Sequence, residues 1–499
     1  MIQENIEIHD KYQFELKIGY KILEEDIDTL YNIEMYFFIP NSLDVNKNNY
    51  SKTDFYNDLQ TYIRFKSPAV ILRNIASGNG DSPVQKLKNS FEQFIGHPDE
   101  ATTANFIRQI KMFSCIIKSA LRDHVHFVTK QKINEDFNAL INEYITLVPV
   151  IAAKYRELRS IINVPNISEK LYSNYLFGDE YLSFMIEEST FNLINFIKKH
   201  HPSEKEDFVK KLYDIIKAEL NHRKSNQFPS IPMDDDDNEE LIFRKSVLKK
   251  FTSSVLYLKT TTEKEGVLLE QILFGIAAGF SMIFATAVAF YSQMKYGSIS
   301  TAVFIILIIS YIFKDRIKEL LRIYFAKKMS TYLFDHKINI FTAEKEKVGW
   351  TKEVFYFTND QNVPKEIMQI RNRDHITEIE NGWMGEKIAV YMENVNLFSK
   401  KLTDIYKDYT MEGINNIMRF DVSKFLHKMD NPKKSLYVLD GQGHKEVHGK
   451  RVYHLNLVIK YTSKHDTTHK RFRIVLNRDG IRRIEEIFSE KEIKKEIKK

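Results

Sequence analysis

One cysteine, Cys115, stands in a chain of 499 residues, so no intrachain disulfide is available. Its flanks, KMFSCIIKSAL, have helical apolar spacing, which places the thiol in a core and fits a reducing compartment. Glycine (17) and proline (11) are scarce, and 28% charged against 43% hydrophobic residues excludes collagen-like, low-complexity and disordered classes. Neither sign of charge dominates. With 73 basic and 67 acidic residues, a net charge of +6 spread over a large surface gives no ground for a nucleic-acid partner. The first residues, MIQENIEIHDKYQFELKIGY, lack the basic and apolar regions of a secretory signal.

Motifs for the common chemistries are missing too. GHKEVHGKR, from Gly443 to Arg451, resembles a phosphate loop, but it has one residue too many between its glycines. Arg451 also stands where the loop needs a hydroxyl for magnesium. SLYVLD has the form of an apolar strand ending in a magnesium-binding aspartate, without the partner loop that would give it meaning. No dinucleotide fingerprint, nucleophile elbow, kinase signature or zincin helix occurs. No catalytic residue and no cofactor is indicated by motif.

What the chain does have, against a mean hydropathy of −0.36, is the stretch QILFGIAAGFSMIFATAVAFYSQMKYGSISTAVFIILIISYIFKD. Ile272 to Tyr291 carries no charge and spans roughly 30 Å as a helix, the thickness of a bilayer's hydrocarbon core. A second uncharged run, Tyr296 to Phe313, spans about 27 Å. Two adjacent runs of this length predict a transmembrane helical hairpin, spans about 270–292 and 296–313, in preference to the buried hairpin of a soluble core. Tyr291, Tyr296 and Tyr311 lie near the ends, where amphipathic rings favour the interface. Lys249, Lys250, Lys259 and Lys264 precede the pair, and Lys314, Arg316, Lys318, Arg322, Lys327 and Lys328 follow it, whereas the connection holds only Lys295. The positive-inside rule therefore predicts a multi-pass membrane protein with both termini cytoplasmic and the lipid bilayer as its first partner.

Ala277, Ser281, Ala285 and Ala289 recur every four residues, and Gly275 and Gly279 add a small-xxx-small pair. In lipid, small side chains let helix backbones approach closely. The favoured partner is the second span, through Gly297, Ser298 and Ser300; the alternative is a homodimer through the first span. The connection has no acidic residue and neither span a central charge, which argues against a pore or a proton relay.

The remaining sequence predicts an α+β protein. Residues 1–227 read as a mainly helical N-terminal cytoplasmic domain opened by a short β-hairpin. In that hairpin the alternation Tyr12, Phe14, Leu16, Ile18, Tyr20, Ile22 pairs with NIEMYFFIP. Helical spacing follows, as in Phe106, Ile110, Phe113, Ile117 and Leu121. Residues 228–240, FPSIPMDDDDNEE, form an acidic linker whose consecutive aspartates lack the alternating ligands and glycine of a calcium loop. Residues 241–329 hold the membrane hairpin and a helical stalk, with Val247, Phe251, Val255 and Leu258 facing Ile317, Leu320, Leu321, Tyr324 and Phe325. Residues 330–499 form a β-rich C-terminal cytoplasmic domain with strands KEVFYFT, EKIAVYMENVNLF, SLYVLD, RVYHLNLVIKY and KRFRIVLN. The last two form a hairpin, followed by a terminal helix from RDGIRRIEEIF onward.

Five of the 15 histidines fall between His444 and His469. If paired strands brought His444, His448, His465 and His469 together, with Asp440 or Asp466, they would suit zinc or another divalent ion. The plainer reading is exposed turn histidines. Two functions are compatible with this pattern: a membrane-tethered cytoplasmic interaction or signalling protein with an unidentified protein partner, or a membrane-anchored enzyme with its site in the C-terminal β-rich domain.

Overall fold

The computed structural model describes residues 3–22, 28–78, 80–130, 135–162, 167–200, 206–297, 300–329, 333–372, 385–405, 409, 411, 413–464 and 466–487. Helix accounts for 53% and strand for 29%, an α+β protein whose C-terminal region is β-rich. The chain divides into two units, one from residues 1–63, 258–405 and 413–499, the other from 64–257 and 406–412.

The first unit is built on two large sheets and a separate two-stranded ribbon. Its larger sheet has eight strands in the order β14 (Gly480–Glu486), β13 (Thr467–Asn477), β12 (Tyr453–Ser463), β3 (Asp28–Pro40), β8 (Glu386–Phe398), β7 (Lys347–Thr358), β6 (His336–Phe341), β5 (Lys259–Lys264). A four-stranded sheet, β1 (Gln3–Ile8), β2 (Gln13–Lys21), β9 (Gly413–Asp421) and β4 (Leu59–Phe65), covers one of its faces. Strand formation follows from alternation: Phe14, Leu16, Ile18 and Tyr20 of β2 point inward and are buried, as do Ala389, Tyr391, Val395 and Leu397 of β8. Rings cross the gap between the sheets, with Phe37 against Phe420 at 5.5 Å and Tyr20 against Tyr31 at 5.1 Å. Helix α1 (Lys52–Asp58) sends Phe55 into the same layer, stacked on Phe355 at 3.9 Å. The opposite face of the large sheet receives Val363, Ile367 and Ile370 against Tyr36, Phe38, Val390 and Val458.

Two readings of the β-structure are corrected. NIEMYFFIP does not pair with the strand before it: β2 pairs with β1 and β9, while β3 pairs with β8 and β12 in the other sheet. The N-terminal hairpin is instead β1 with β2. The residues after Arg478 are not helical as far as Glu486, because β14 extends the sheet beside β13. The spacing of Ile481 and Ile484 mimics a helix. A register shift at Val475/Leu476 lets these residues pair with Leu476 and Ile474 despite it. Residues 488–499, with the rest of the expected helix, lie outside the described residues.

The second unit is helical: α2 (Leu72–Ser77), α3 (Pro83–Gly96), α4 (Glu100–Lys130), α5 (Glu135–Ile162), α6 (Glu169–His200), α7 (Glu206–Ser225) and α8 (Glu239–Ser253). Phe106, Ile110, Phe113, Ile117 and Leu121 form the buried stripe of α4, and Cys115 is buried beside it. At Gly178 of α6 a methyl group would strike the Tyr155 hydroxyl and Ile110, so close approach of the helices requires glycine there. Arg156 bridges Asp179 at 3.1 Å and Glu219 at 2.6 Å, compensating two carboxylates that are almost wholly buried.

Helix α8 also corrects the expected stalk. It ends at Ser253, contacts α4 and α6, and buries Leu248 and Thr252 rather than continuing toward the apolar stretch. Three successive threonines, β-branched and stiff, then form strand β5 at the edge of the large sheet.

Between β5 and β6 the chain leaves the sheet as α9 (Val267–Tyr296) and α10 (Thr301–Met329), which pack along each other. Helix α9 is long and apolar enough to cross a membrane, and 11% of its most apolar window is buried. Helix α10 does not reach that measure. Tyr296 belongs to α9 and α10 begins at Thr301, so its uncharged helical run to Phe313 spans roughly 20 Å rather than 27 Å. Ala277 and Ser281 are buried, Ala285 and Ala289 half-buried, while Gly275 and Gly279 face open space with nothing within 4 Å of a would-be side chain. Of the six small residues of α9, the alanine and serine stripe is the covered part, and the glycine pair is not.

Replacing Phe55 by alanine removes a ring held between Phe37, Phe355, Tyr391 and Phe420. The expected loss is about 3–5 kcal/mol in urea denaturation, with Phe55→Leu costing distinctly less.

Candidate functional site

The histidines singled out by their density do not converge. His444 and His448 lie on β11 (Gly443–Lys450), opposite Leu439 and Ser435 of β10 (Lys433–Asp440). Four residues along one extended strand separate side chains by roughly 13 Å, too far to share an ion. His469 lies on β13 of the large sheet, opposite Lys460, with Nε2 3.8 Å from Glu366. His465 lies outside the described residues. Among the described residues no three histidine, cysteine, aspartate or glutamate side chains form a group able to hold a metal ion.

A different histidine is built into a site. The register of the large sheet places Lys264, His336, Glu353 and Glu393 directly opposite one another on β5, β6, β7 and β8. Their side chains therefore share the face turned toward the smaller sheet. His336 Nδ1 donates to Glu353 Oε1 at 3.0 Å, and the Tyr391 hydroxyl donates to Glu353 Oε2 at 2.8 Å. Beyond it, Asn416 Nδ2 on the facing sheet donates to both carboxyl oxygens of Glu393 at 3.0 Å. Burial, with the Glu353 charge next to it, pushes Glu393 up to about 8. One carboxyl of the pair is thus a proton carrier rather than a fixed charge. The hydrogen bond to Glu353 raises His336 against the opposing effect of its partial burial.

His336 lines two cavities. The larger, about 510 Å³, is walled by Lys52, Thr53, Tyr56 and Asn57 of α1, Lys264 and Glu265 at the end of β5, Glu270 of α9, and Ala326 of α10, with Leu333, Phe334 and Asp335 closing it. It sits at the foot of the α9/α10 hairpin. The smaller, about 250 Å³, lies between Tyr56, Thr61, Thr260, Thr262 and Glu353. Asp335 fastens the wall: it accepts from Lys52 Nζ at 2.5 Å, from the Tyr56 hydroxyl at 2.9 Å and from the backbone N–H of Phe355 at 2.9 Å. Lys264 meets Glu270 at 3.5 Å, and Lys352 meets Glu265. The charges of the cavity wall are thus paired, with one another or with a neighbour behind the wall.

Chemically, a histidine oriented by a carboxylate can donate or accept a proton at its other nitrogen. Among the described residues of the cavity lining there is no serine or cysteine nucleophile beside it. Alternation in the sequence shows β7 and β8 of this site but neither β5 nor β6, and none of its polar residues. Glu353 and Glu393 occupy inward-facing positions of KEVFYFT and AVYMENVNLF, where alternation calls for an apolar side chain, and that mismatch was the available signal. Nothing in the sequence places His336 beside them, because the pairing of β6 with β7 is tertiary. Searches of protein-family models, curated proteins and solved structures returned no match to this chain.

The folded protein keeps the Glu393 proton up to about pH 8, whereas an unfolded carboxyl releases it near its ordinary value. The folded state therefore binds more protons in between, and stability falls as pH rises across that interval. Melting is expected at a lower temperature at pH 8.5 than at pH 5.5, and Glu393→Gln should remove much of that fall. The share due to His336, whose raised value acts in the same direction, should remain.

Proposed function

We propose that the protein is a membrane-tethered interaction or signalling protein, with the α9/α10 hairpin holding its folded units at the cytoplasmic surface of a bilayer. The observation that carries this is α9 itself: a 30-residue helix with 11% of its apolar window buried. In water Ile272, Phe280, Met282, Ile283 and Phe290 would stand exposed. A core helix of a soluble protein would be covered; a helix in lipid need not be.

Topology supports a return through the same membrane. The chain enters α9 from β5 and comes back from α10 into β6, and these strands are hydrogen-bonded neighbours with Lys264 opposite His336. If α9 crosses, α10 must cross back beside it, with local thinning of the bilayer making up its short apolar run. The basic residues flanking the hairpin, against Lys295 alone at its tip, favour cytoplasmic termini. The small-residue stripe of α9 serves the intrachain partner, and the open Gly275/Gly279 edge is where a second copy would pack.

The enzyme alternative rests on the His336–Glu353 pair in its cavity. Turnover of a chromogenic ester or phosphate that His336→Gln abolishes would select it.

Expression followed by fractionation should leave the protein in membranes after an alkaline carbonate wash. In that preparation Met294→Cys should react with an impermeant thiol reagent from outside, and Asn48→Cys only after permeabilisation. Recovery in the soluble fraction, or the reverse labelling pattern, would overturn this reading.

A further inference from the structure

Strands β10 and β11 form a sheet of their own, pairing with each other and, among the described residues, with no other strand. Asp440 pairs with Gly443, so Gly441 and Gln442 alone make the turn, and Gly441 takes the positive φ of 61° such a tight connection needs. Such a two-stranded ribbon is marginal in water, and among the described residues no third strand or helix covers a face of this one. This one nonetheless presents Leu436, Tyr437, Val438 and Leu439 to solvent, with Leu439 88% exposed beside the turn. Alternation sends Leu436, Val438 and Val447 to one side and Tyr437 and Leu439 to the other, so both faces carry apolar side chains. Four uncovered apolar residues in succession, on a ribbon that cannot support itself well, call for an external cover.

Charge says what kind of cover. From Lys433 to Arg451 the ribbon carries Lys433, Lys434, Lys445, Lys450 and Arg451 against Asp440 and Glu446. The apolar residues lie toward the turn, with Lys445 opposite Val438 and with Lys433, Lys434 and Lys450 at the foot of the ribbon. That order matches the boundary of an anionic bilayer, where side chains enter the acyl region while ammonium groups remain among headgroups. The strand directions agree. β12, which follows the ribbon, starts at the Pro40 end of β3. That end is the Glu386 end of β8 and the Thr358 end of β7, toward which β6 begins at His336. The ribbon and the α9/α10 hairpin therefore leave the sheet from the same set of strand ends. We propose that the β10/β11 ribbon is a second, electrostatically selective membrane contact, inserting Tyr437 and Leu439 into anionic lipid. It rests on the membrane-tethered reading.

The test uses the full chain, in which the one native cysteine is buried, reconstituted into phosphatidylcholine vesicles with and without about 30% phosphatidylserine. Leu439→Cys carrying an environment-sensitive fluorophore should shift to the blue and be shielded from an aqueous quencher several-fold more in anionic than in neutral vesicles. Charge reversal at Lys433, Lys434, Lys445 and Lys450 should abolish the difference without affecting incorporation. Failure to incorporate into either vesicle would overturn the tether and this contact together. Incorporation with the label equally quenched in both, or a Leu439→Cys disulfide between copies that forms regardless of lipid charge, would overturn the contact alone.

Discussion

Lys264 and His336 face each other across one antiparallel ladder, and the 71 residues between them leave the sheet and return to it. That pairing governs much of what surrounds it. It fixes both feet of the α9/α10 hairpin at one sheet edge. It lines up His336 with Glu353 and Glu393, because successive ladders place opposite residues on one face. It also closes the cavity, whose wall is made from the end of β5, the start of β6 and the first and last turns of the two helices. A single hydrogen-bond register thus couples a membrane-length element to a buried proton carrier.

The polar row itself is costly. Two glutamates opposite each other in a sheet interior repel, and burial disfavours either charge. The fold meets this in two ways: Tyr391 and His336 hold Glu353 as an acceptor, and Glu393 keeps its proton within reach of Asn416. An apolar pair at these positions would satisfy packing equally well. The retention of titratable groups at the cavity edge is what makes the region a candidate site rather than a stretch of core.

Much of the architecture was legible in the sequence because it is written in period. Alternation located β2, β7, β8, β12 and β13, and the stripe from Phe106 to Leu121 located α4. What period cannot show is pairing. β2 and β3 read as a hairpin because they are neighbours in sequence, yet they belong to different sheets. The apolar face of α8 read as a stalk, but the three threonines of β5 outweighed it. At the second apolar run, counting uncharged residues overstated the helix, since Tyr296 to Ser300 go to the end of α9 and the connection. The candidate site was the least legible part: its members come from four strands and are joined by register alone.

Strand β3, near the start of the chain, lies in the sheet between β8 and β12, its two partners from the far half. During synthesis β3 can find neither partner until the ribosome has passed Glu386 and then Tyr453, long after the residues of α9 and α10 have emerged. The helical unit, built mostly of contiguous residues 64–257, faces no such wait. The strand order therefore leaves the large sheet incomplete until after the residues of the helical unit and of α9 and α10 are available. Leu30 to Pro40, an aromatic-rich segment, has no sheet partner until the residues of β8 and β12 have been made.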